Sequence, residues 1–239
     1  MKYIIKSSSP SEFEAWKNEY QLTETELSQN YSLEGEKDNI WGKFSGEIKT
    51  KVKESLLSEQ GFICCYCQQR VELSKQTIIE HFIARDIEPT MMFNYDNILV
   101  CCDGGDERRT EEKKEKRPKS KRTPLYCDRK KANKKLLVNP LDELCESHFS
   151  YSFNFDPKKP KVEITHLSPE GEESIQQLNL NIPHLDILRG AEIAGFIFDE
   201  HGDVLPDEDI QELFSVIKQK QNNKFQPFCI VLESVLKKL

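Results

Sequence analysis

Six cysteines at three places most constrain what this 239-residue chain can fold into. The first group is Cys64-Cys65-Tyr66-Cys67, the second is Cys101-Cys102, and the third is Cys127 alone. A C-x-x-C spacing lets one tight turn present two thiolates, and a tetrahedral zinc site needs four such ligands. We therefore expect a structural Zn²⁺ site whose ligands are Cys64, Cys67, Cys102 and Cys127.

Two other interpretations of the cysteines stay open. Cys65 and Cys101 could replace Cys64 and Cys102 as zinc ligands, because each is the direct neighbour of a predicted ligand. Buried cysteines also serve as small apolar core residues. We expect that role for the two isolated cysteines, Cys145 and Cys229.

The composition indicates a soluble protein with a sizeable core. Hydrophobic residues make up 37% of the chain, charged residues make up 31%, and the formal net charge is −7. The apolar run at the N-terminus is too short for a signal peptide, and no stretch approaches the roughly 20 apolar residues of a membrane span. We expect a cytoplasmic protein without a membrane partner, in which cysteines stay reduced.

The pattern along the chain predicts an α+β fold in three segments. Residues 1–60 favour helices, residues 61–141 carry the clustered cysteines, and residues 142–239 mix short strands with helices. Inside the second segment, residues 103–123 are rich in glycine and charge, so we expect an inserted solvated loop, partly disordered. The predicted elements are helices at 47–57, 127–134, 210–218 and 227–239, and strands at 71–73, 77–81, 149–155 and 161–165. Residues 98–102 form either another strand or a short buried helix, because so few residues do not define a period.

A carboxylate and a histidine stand side by side between the first two cysteine groups. They are Glu80 and His81, in the run Thr77-Ile-Ile-Glu-His-Phe82, and Asn97 follows in an Asx-rich stretch. A neutral imidazole can take a proton from water, and a second group must hold the ring in one tautomer. A divalent metal on oxygen ligands can stabilise charge on a phosphate. Successive strand residues point to opposite faces, so both side chains can serve one site only where the strand ends or bulges.

The order of these motifs resembles that of the HNH (ββα-metal) endonuclease family. The matching stretches are C-x-x-C, Ile-Glu-His, Tyr-Asp-Asn-Ile-Leu, a cysteine, and Cys-Asp-x-x-Lys, between about Gly61 and about Leu141. The later runs NPLDELCESHF and LNLNIPHLDILR are similar to the PtuB group of that family. PtuB-type proteins belong to the Septu anti-phage system and also occur in some retron systems.

The resemblance implies a role for each polar residue of the predicted site. His81 would be the general base, Asn97 would orient it, and Glu80 would ligate a catalytic Mg²⁺ or another divalent metal. The last ligand of that metal would be Asp128, with Asn133 as a substitute. The middle segment, 61–141, would then be an HNH core with a structural zinc knuckle, flanked by a helical N-terminal segment and an α+β C-terminal lobe.

Positive charge is concentrated beside this predicted site. Residues 103–135 contain fourteen Lys and Arg against seven Asp and Glu, whereas the rest of the chain contains 20 basic and 34 acidic residues. A charge run is often only a solvated surface, but its place between two predicted zinc ligands favours phosphate binding. The predicted nucleic-acid contacts are Lys113, Lys114, Lys116, Arg117, Lys119, Lys121, Arg122, Lys130 and Lys131.

Partners follow from the resemblance, and two other functions remain open. The resemblance implies a PtuA-like ATPase as partner, DNA as substrate, and in a retron setting a reverse transcriptase with its nucleic acid. The alternatives are a non-catalytic zinc-ribbon module that binds nucleic acid or protein, and an HNH nuclease for RNA. A binding module needs neither His81 nor Asn97, whereas RNA and DNA hydrolysis use the same chemistry at phosphorus.

Overall fold

The computed structural model describes residues 1–30, 33–154 and 156–239, and of residues 33–35 the backbone alone. It has the predicted α+β composition, with helices and two separate two-stranded antiparallel sheets in this part of the chain. The predictions for residues 31, 32 and 155 lie outside the described residues. The longest helices described have 15 residues, and none is both long and apolar enough to cross a membrane.

Four helices form the N-terminal segment. They are α1 (Ser11–Glu19), α2 (Glu24–Asn30), α3 (Leu33–Lys43) and α4 (Gly46–Gln60). The predicted helix at 47–57 is thus confirmed within α4. It ends at Gly61, whose left-handed φ of 59° suits a glycine, and a Cβ there would lie 2.3 Å from the Phe225 ring.

The aromatic residues of these helices pack around the loop that precedes the second strand. Phe13, Trp16 and Phe44 surround the Phe93 ring, with ring centroids 5.2–6.5 Å apart. Trp41 stacks on Phe93 and also meets the His81 ring edge-on, with centroids 4.7 Å apart. Aromatic pairs at such distances add stability beyond the area they bury. The N-terminal helices therefore form one wall of the predicted site.

A short antiparallel pair lies at the centre of the second segment. Strand β1 (Ile78–His81) pairs with β2 (Ile98–Cys101), so that His81 lies opposite Ile98. The predicted strand 77–81 is confirmed within one residue, and of the two alternatives for residues 98–102 the structure has the strand, from Ile98 to Cys101. The predicted strand 71–73 is wrong, because those residues continue the turn that follows the single bridge between Ile63 and Arg70.

The charged segment is more ordered than predicted. A nine-residue helix, α5 (Asp106–Lys114), replaces the first part of the expected loop. Two acids lie in its first turn and two lysines in its last, which is the favourable orientation on a helix dipole. The buried Glu112 anchors it by accepting hydrogen bonds from the Thr123 backbone N–H, at 2.6 Å, and from Arg117, at 3.0 Å. A four-residue helix, α6 (Asp128–Lys131), then follows Cys127, shorter than the predicted 127–134.

The C-terminal segment combines a hairpin with four helices. The hairpin strands are β3 (Phe149–Asn154) and β4 (Lys161–His166), and the helices are α7 (Pro169–Leu178), α8 (Pro183–Ile197), α9 (Asp207–Ile217) and α10 (Cys229–Leu236). Three of these helices pack on the hairpin, and α9 packs on α10. The predicted helices at 210–218 and 227–239 are confirmed as α9 and α10, with different ends. One hydrophobic core includes residues from all three segments, from Met1 to Leu236.

Candidate active site and metal centre

The clustered cysteines meet in the interior. The Sγ atoms of Cys64, Cys101, Cys102 and Cys127 all lie within 4.8 Å of one another. Cys67 is beside them, with its Sγ 3.9 Å from that of Cys102. Cys64 lies 3.5 Å from Cys101 and 3.9 Å from Cys127. Three of the predicted ligands, Cys64, Cys102 and Cys127, thus belong to the group of four. The fourth member is Cys101, where Cys67 was predicted.

The cysteine group suits a tetrahedral metal ion. Zn–S bonds of about 2.3 Å place tetrahedral sulfurs about 3.8 Å apart, close to the observed spacings. All five thiols are buried, where they have no water to solvate a charge. Cys127 also adopts φ 50° and ψ −136°, a conformation that a non-glycine residue holds only when its surroundings enforce it. Cys145 and Cys229, by contrast, are isolated in the core, and burial raises the pKa of Cys145 to about 12 and that of Cys229 to about 11.

Glu80 lies at the centre of a buried polar cluster. Its Oε1 accepts hydrogen bonds from the Tyr66 hydroxyl, at 2.9 Å, and from the Lys131 ammonium, at 2.6 Å. Burial, followed by a hydrogen bond with Asp128 and the negative charge of that carboxylate, raises the pKa of Glu80 well above its usual range. The two carboxylates that the resemblance assigns to the catalytic metal are therefore neighbours, and a cation between them would relieve their repulsion.

Lys131 has a different place from the predicted one. Its side chain is only 1% exposed, and its Nζ also donates to the His81 carbonyl, at 2.7 Å. The ammonium is therefore a counter-ion inside the site and not a surface contact for phosphate. Lys131 stands three residues after Asp128, so both face one side of α6. The three-residue spacing between Asp128 and Lys131 is the feature of the sequence that indicates this counter-ion role.

His81 is buried, neutral and held in one tautomer. Its Nε2 lies 3.0 Å from the Met92 carbonyl oxygen, which can only accept a hydrogen bond. Nε2 must then carry the proton of the neutral ring, and Nδ1 keeps its lone pair. Burial lowers the pKa of His81 to about 4. Strand β1 ends at His81, which allows Glu80 and His81 to line the same cleft.

Asn97 acts on the loop and not on the imidazole. Its Oδ1 accepts from the Ile83 N–H at 2.8 Å, while its Nδ2 donates to the carbonyls of Ile83, at 3.0 Å, and Met91, at 3.2 Å. Instead of the predicted contact with His81, Asn97 contacts Met91, the residue before Met92. Asn97 fixes the loop from which the Met92 carbonyl holds the ring. The remaining candidate, Asn133, donates to Asp86, which also pairs with Lys37.

These residues line an open cleft of about 380 Å³. Glu80, His81, Asp128 and Asn133 all contribute to its surface. Its cationic lining residues are Lys49, Lys53, Lys75, Arg85, Arg129 and Lys131. Apart from Lys131, no member of this set is distinguishable in the sequence, because lysines on a helix, such as Lys49 and Lys53 on α4, have the pattern of ordinary surface residues.

The predicted contacts of the charged segment lie outside this lining. Arg117 pairs with Glu112 and Glu115, both at 3.0–3.1 Å, and Arg122 donates to the Arg117 carbonyl at 2.8 Å. The lysines at 113, 114, 116, 119 and 121 and Lys130 are exposed. Lys114 borders a second cleft, which shares Lys75 and Arg129 with the first. The exposed lysines are therefore available to a partner next to the candidate site.

Two known proteins are similar to this chain. A Vibrio cholerae serotype O1 biovar El Tor protein named "Retron Vc95 putative HNH endonuclease" is 27% identical over 190 residues, which cover 74% of this chain and 81% of that protein. The Septu protein PtuB of Bacillus thuringiensis is 32% identical over 80 residues, 33% of this chain and 28% of PtuB. No family model matches. These similarities support an HNH-like family for the chain, one that resembles PtuB.

Proposed function

We propose that the chain is a metal-dependent HNH endonuclease that hydrolyses phosphodiester bonds of DNA as the effector of an anti-phage defence complex. A nuclease role in such defence has the support of both relatives. The proposed chemistry rests on His81. Its neutral imidazole is fixed by the hydrogen bond at Nε2 and lies in a cationic cleft beside two carboxylates.

His81 is the proposed general base. With Nε2 committed to the Met92 carbonyl, Nδ1 would accept the proton of the attacking water. Asn97 supports this geometry through the loop, so it is a positioning residue. The low pKa of the imidazole keeps the ring unprotonated at neutral pH, so that Nδ1 retains its lone pair.

Glu80 and Asp128 are the proposed holders of Mg²⁺ or a similar divalent ion. Hard oxygen ligands suit such ions, and the Glu80 and Asp128 carboxyl groups lie within hydrogen-bond reach of each other, close enough to share one ion. Asn133 remains a substitute ligand at the edge of the cleft. When bound, the ion would stabilise charge on the phosphate and on the leaving oxygen.

The cysteine group is the proposed structural zinc site. Strand β2 ends at this group and α6 begins at it. A bound ion would therefore tie α6, which carries Asp128, to β2, which pairs with the strand that carries Glu80 and His81. We keep Cys64, Cys67, Cys102 and Cys127 as the proposed ligands, and Cys101 is the alternative to Cys67 that the geometry favours. Strand β1, strand β2 and α6 would then form the ββα-metal core.

A PtuA-like ATPase is the proposed partner, and a retron reverse transcriptase with its nucleic acid is a second one. Seven acids and no Lys or Arg lie between Asp199 and Glu212, and three of them form the first turn of α9. We propose that this acidic surface docks on a basic surface of the ATPase. Complex formation should weaken as salt rises, because salt screens exposed charges. Affinity that does not change with salt would contradict this docking.

Cleavage of defined substrates tests the proposed function. Purified protein, alone and with its ATPase, would be incubated with supercoiled plasmid, linear duplex and tRNA, with and without Mg²⁺. We expect nicking of DNA that requires the divalent ion. Cleavage of RNA alone would reassign the substrate, and no cleavage of any of them would contradict the assignment as a nuclease.

A further inference from the structure

We propose that three lysines on one side of the cleft, Lys49, Lys53 and Lys75, bind the phosphate backbone of the nucleic acid beside the reacting phosphate. We name them the lysine wall. Lys49 and Lys53 lie on α4, and Lys75 lies on the loop before β1. All three line the same cleft as His81 and Glu80. This inference rests on the proposed function and deepens it.

The lysine wall carries positive charge that the protein itself does not neutralise. Among the described residues, none of the three has a carboxylate within 4 Å. Lys51, on the same helix, shows the contrast, because it pairs with Glu47 at 3.2 Å and with Glu12 at 3.6 Å. An unpaired cation at the edge of a concave site is a ready partner for an anion.

The surroundings of the lysine wall are also positive. The Lys49 ammonium lies 5.2 Å from the centre of the Trp41 ring, and Arg85 lies 5.0 Å from the same ring. Burial, with the charge of Arg85, lowers the pKa of Lys49, and burial, with the charge of Lys49, lowers that of Lys53. The positive groups thus repel one another, and a bound phosphate would relieve that repulsion.

The acidic groups of the cleft already have cationic or metal-site partners. Asp86 pairs with Lys37, and Glu80 pairs with Lys131. Asp128 lies beside Glu80, in the place proposed for the divalent ion. The lysine wall is therefore available to bind the substrate, and a phosphate bound there would lie near His81.

The spacing within α4 fits a nucleic-acid strand. Lys49 and Lys53 are four residues apart, so their side chains leave one face of the helix about 6 Å apart along its axis. A DNA strand carries one phosphate for about every 3.4 Å of duplex axis, so two cations at this spacing can each meet a different phosphate. Lys53 also donates to the carbonyls of Ser74 and Thr77, which ties the Lys75 loop to α4.

Binding by a cleavage-deficient protein separates this proposal from the proposed function. The background is His81→Ala, and the probe is a 20-base-pair duplex without added divalent ion. The variant adds Lys49→Gln and Lys75→Gln, and spares Lys53 because of its two structural hydrogen bonds. The control adds Lys158→Gln and Lys159→Gln instead, which removes the same charge from an exposed turn outside the cleft.

We expect the cleft variant to bind DNA at least about tenfold more weakly than the control at 0.1 M salt. Its plot of log affinity against log salt should be shallower by about 2, one unit for each lost phosphate contact. Melting temperatures should match, which excludes misfolding as the cause. Equal affinities and slopes for the two variants, or no DNA binding by the parent, would overturn the proposal. A parent that binds through the lysine wall but never cleaves would contradict the proposed function alone.

Discussion

At the scale of single residues, Lys131 places an ammonium group inside the carboxylate cluster of the site. It links the Glu80 side chain to the His81 backbone, and it does so at 1% exposure. Buried charges are tolerated when they are paired and hydrogen-bonded, and they are costly when one partner is removed. The geometry of the proposed base and of the proposed metal ligand therefore depends on one lysine.

Replacement of Lys131 tests this dependence. Lys131→Met should destabilise the protein by about 3 kcal/mol or more, because it leaves the Glu80 carboxyl group buried without its cationic partner. Cleavage should be lost as well. Lys130→Met is the matched control, since the neighbouring lysine is exposed, and it should melt like the parent. Equal stability of the two variants in a denaturant titration would show that Lys131 has no such role.

Asn97 sets the position of His81 through three hydrogen bonds to the loop. Asn97→Asp keeps the acceptor for the Ile83 N–H and loses both donors, to the carbonyls of Ile83 and Met91. We expect a loss of about 1–3 kcal/mol, together with slower cleavage, because the Ile83 carbonyl loses its side-chain donor and the Met91 carbonyl keeps only the Asn94 N–H. Thermal unfolding and a nicking assay measure the two effects. A variant as stable and as active as the parent would contradict the positioning role.

At the scale of elements, the charged segment is a helix followed by an exposed basic stretch. Neutralising seven of its nine cations should weaken nucleic-acid binding and flatten the salt dependence, because phosphate attraction does not depend on sequence. The seven cations are Lys113, Lys114, Lys116, Arg117, Lys119, Lys121 and Arg122. The cut-site pattern should not change, since phosphate contacts position a substrate without reading it.

Measurement of two affinities for this variant decides what the segment contacts. If the charged segment contacts the ATPase and not DNA, the variant's DNA affinity and its salt dependence stay as in the parent, while its binding to the ATPase weakens. An unaltered salt slope for DNA would defeat the DNA-facing role. Zinc content serves as the control, because the cysteines are untouched.

At the scale of the whole molecule, the cysteine group joins segments that are far apart in sequence. A structural zinc contributes its binding energy to folding, so its loss should be a folding defect. Cys127→Ser should lose about one zinc per chain and melt early, whereas Cys145→Ser should keep its zinc. Comparing Cys67→Ser with Cys101→Ser identifies the fourth ligand. Protein purified without zinc that still unfolds in one sharp transition would contradict the claim.

The sequence predicted the parts of the site whose signal is local. The spacing of the cysteines and the neighbours Glu80 and His81 are visible along the chain, and the structure brings them together as two adjacent groups. Asn97 could not be assigned a partner from sequence, because a carboxamide can bond any nearby backbone group. Lys49 and Lys53 reach the cleft only because α4 packs beside β1, a tertiary contact with no local pattern. Helix α5 was missed because its charged composition concealed the favourable order of its end charges.

The central claim is that His81 is the base of a nuclease, and its most direct test is the rate of plasmid nicking by His81→Ala. The parent and the variant would be compared at equal concentration with Mg²⁺, after both are shown to contain the same zinc and to melt alike. Proton transfer by a positioned base typically contributes 10²–10⁴-fold, so we predict a rate lower by about that factor. A variant that nicks plasmid as fast as the parent would contradict the account.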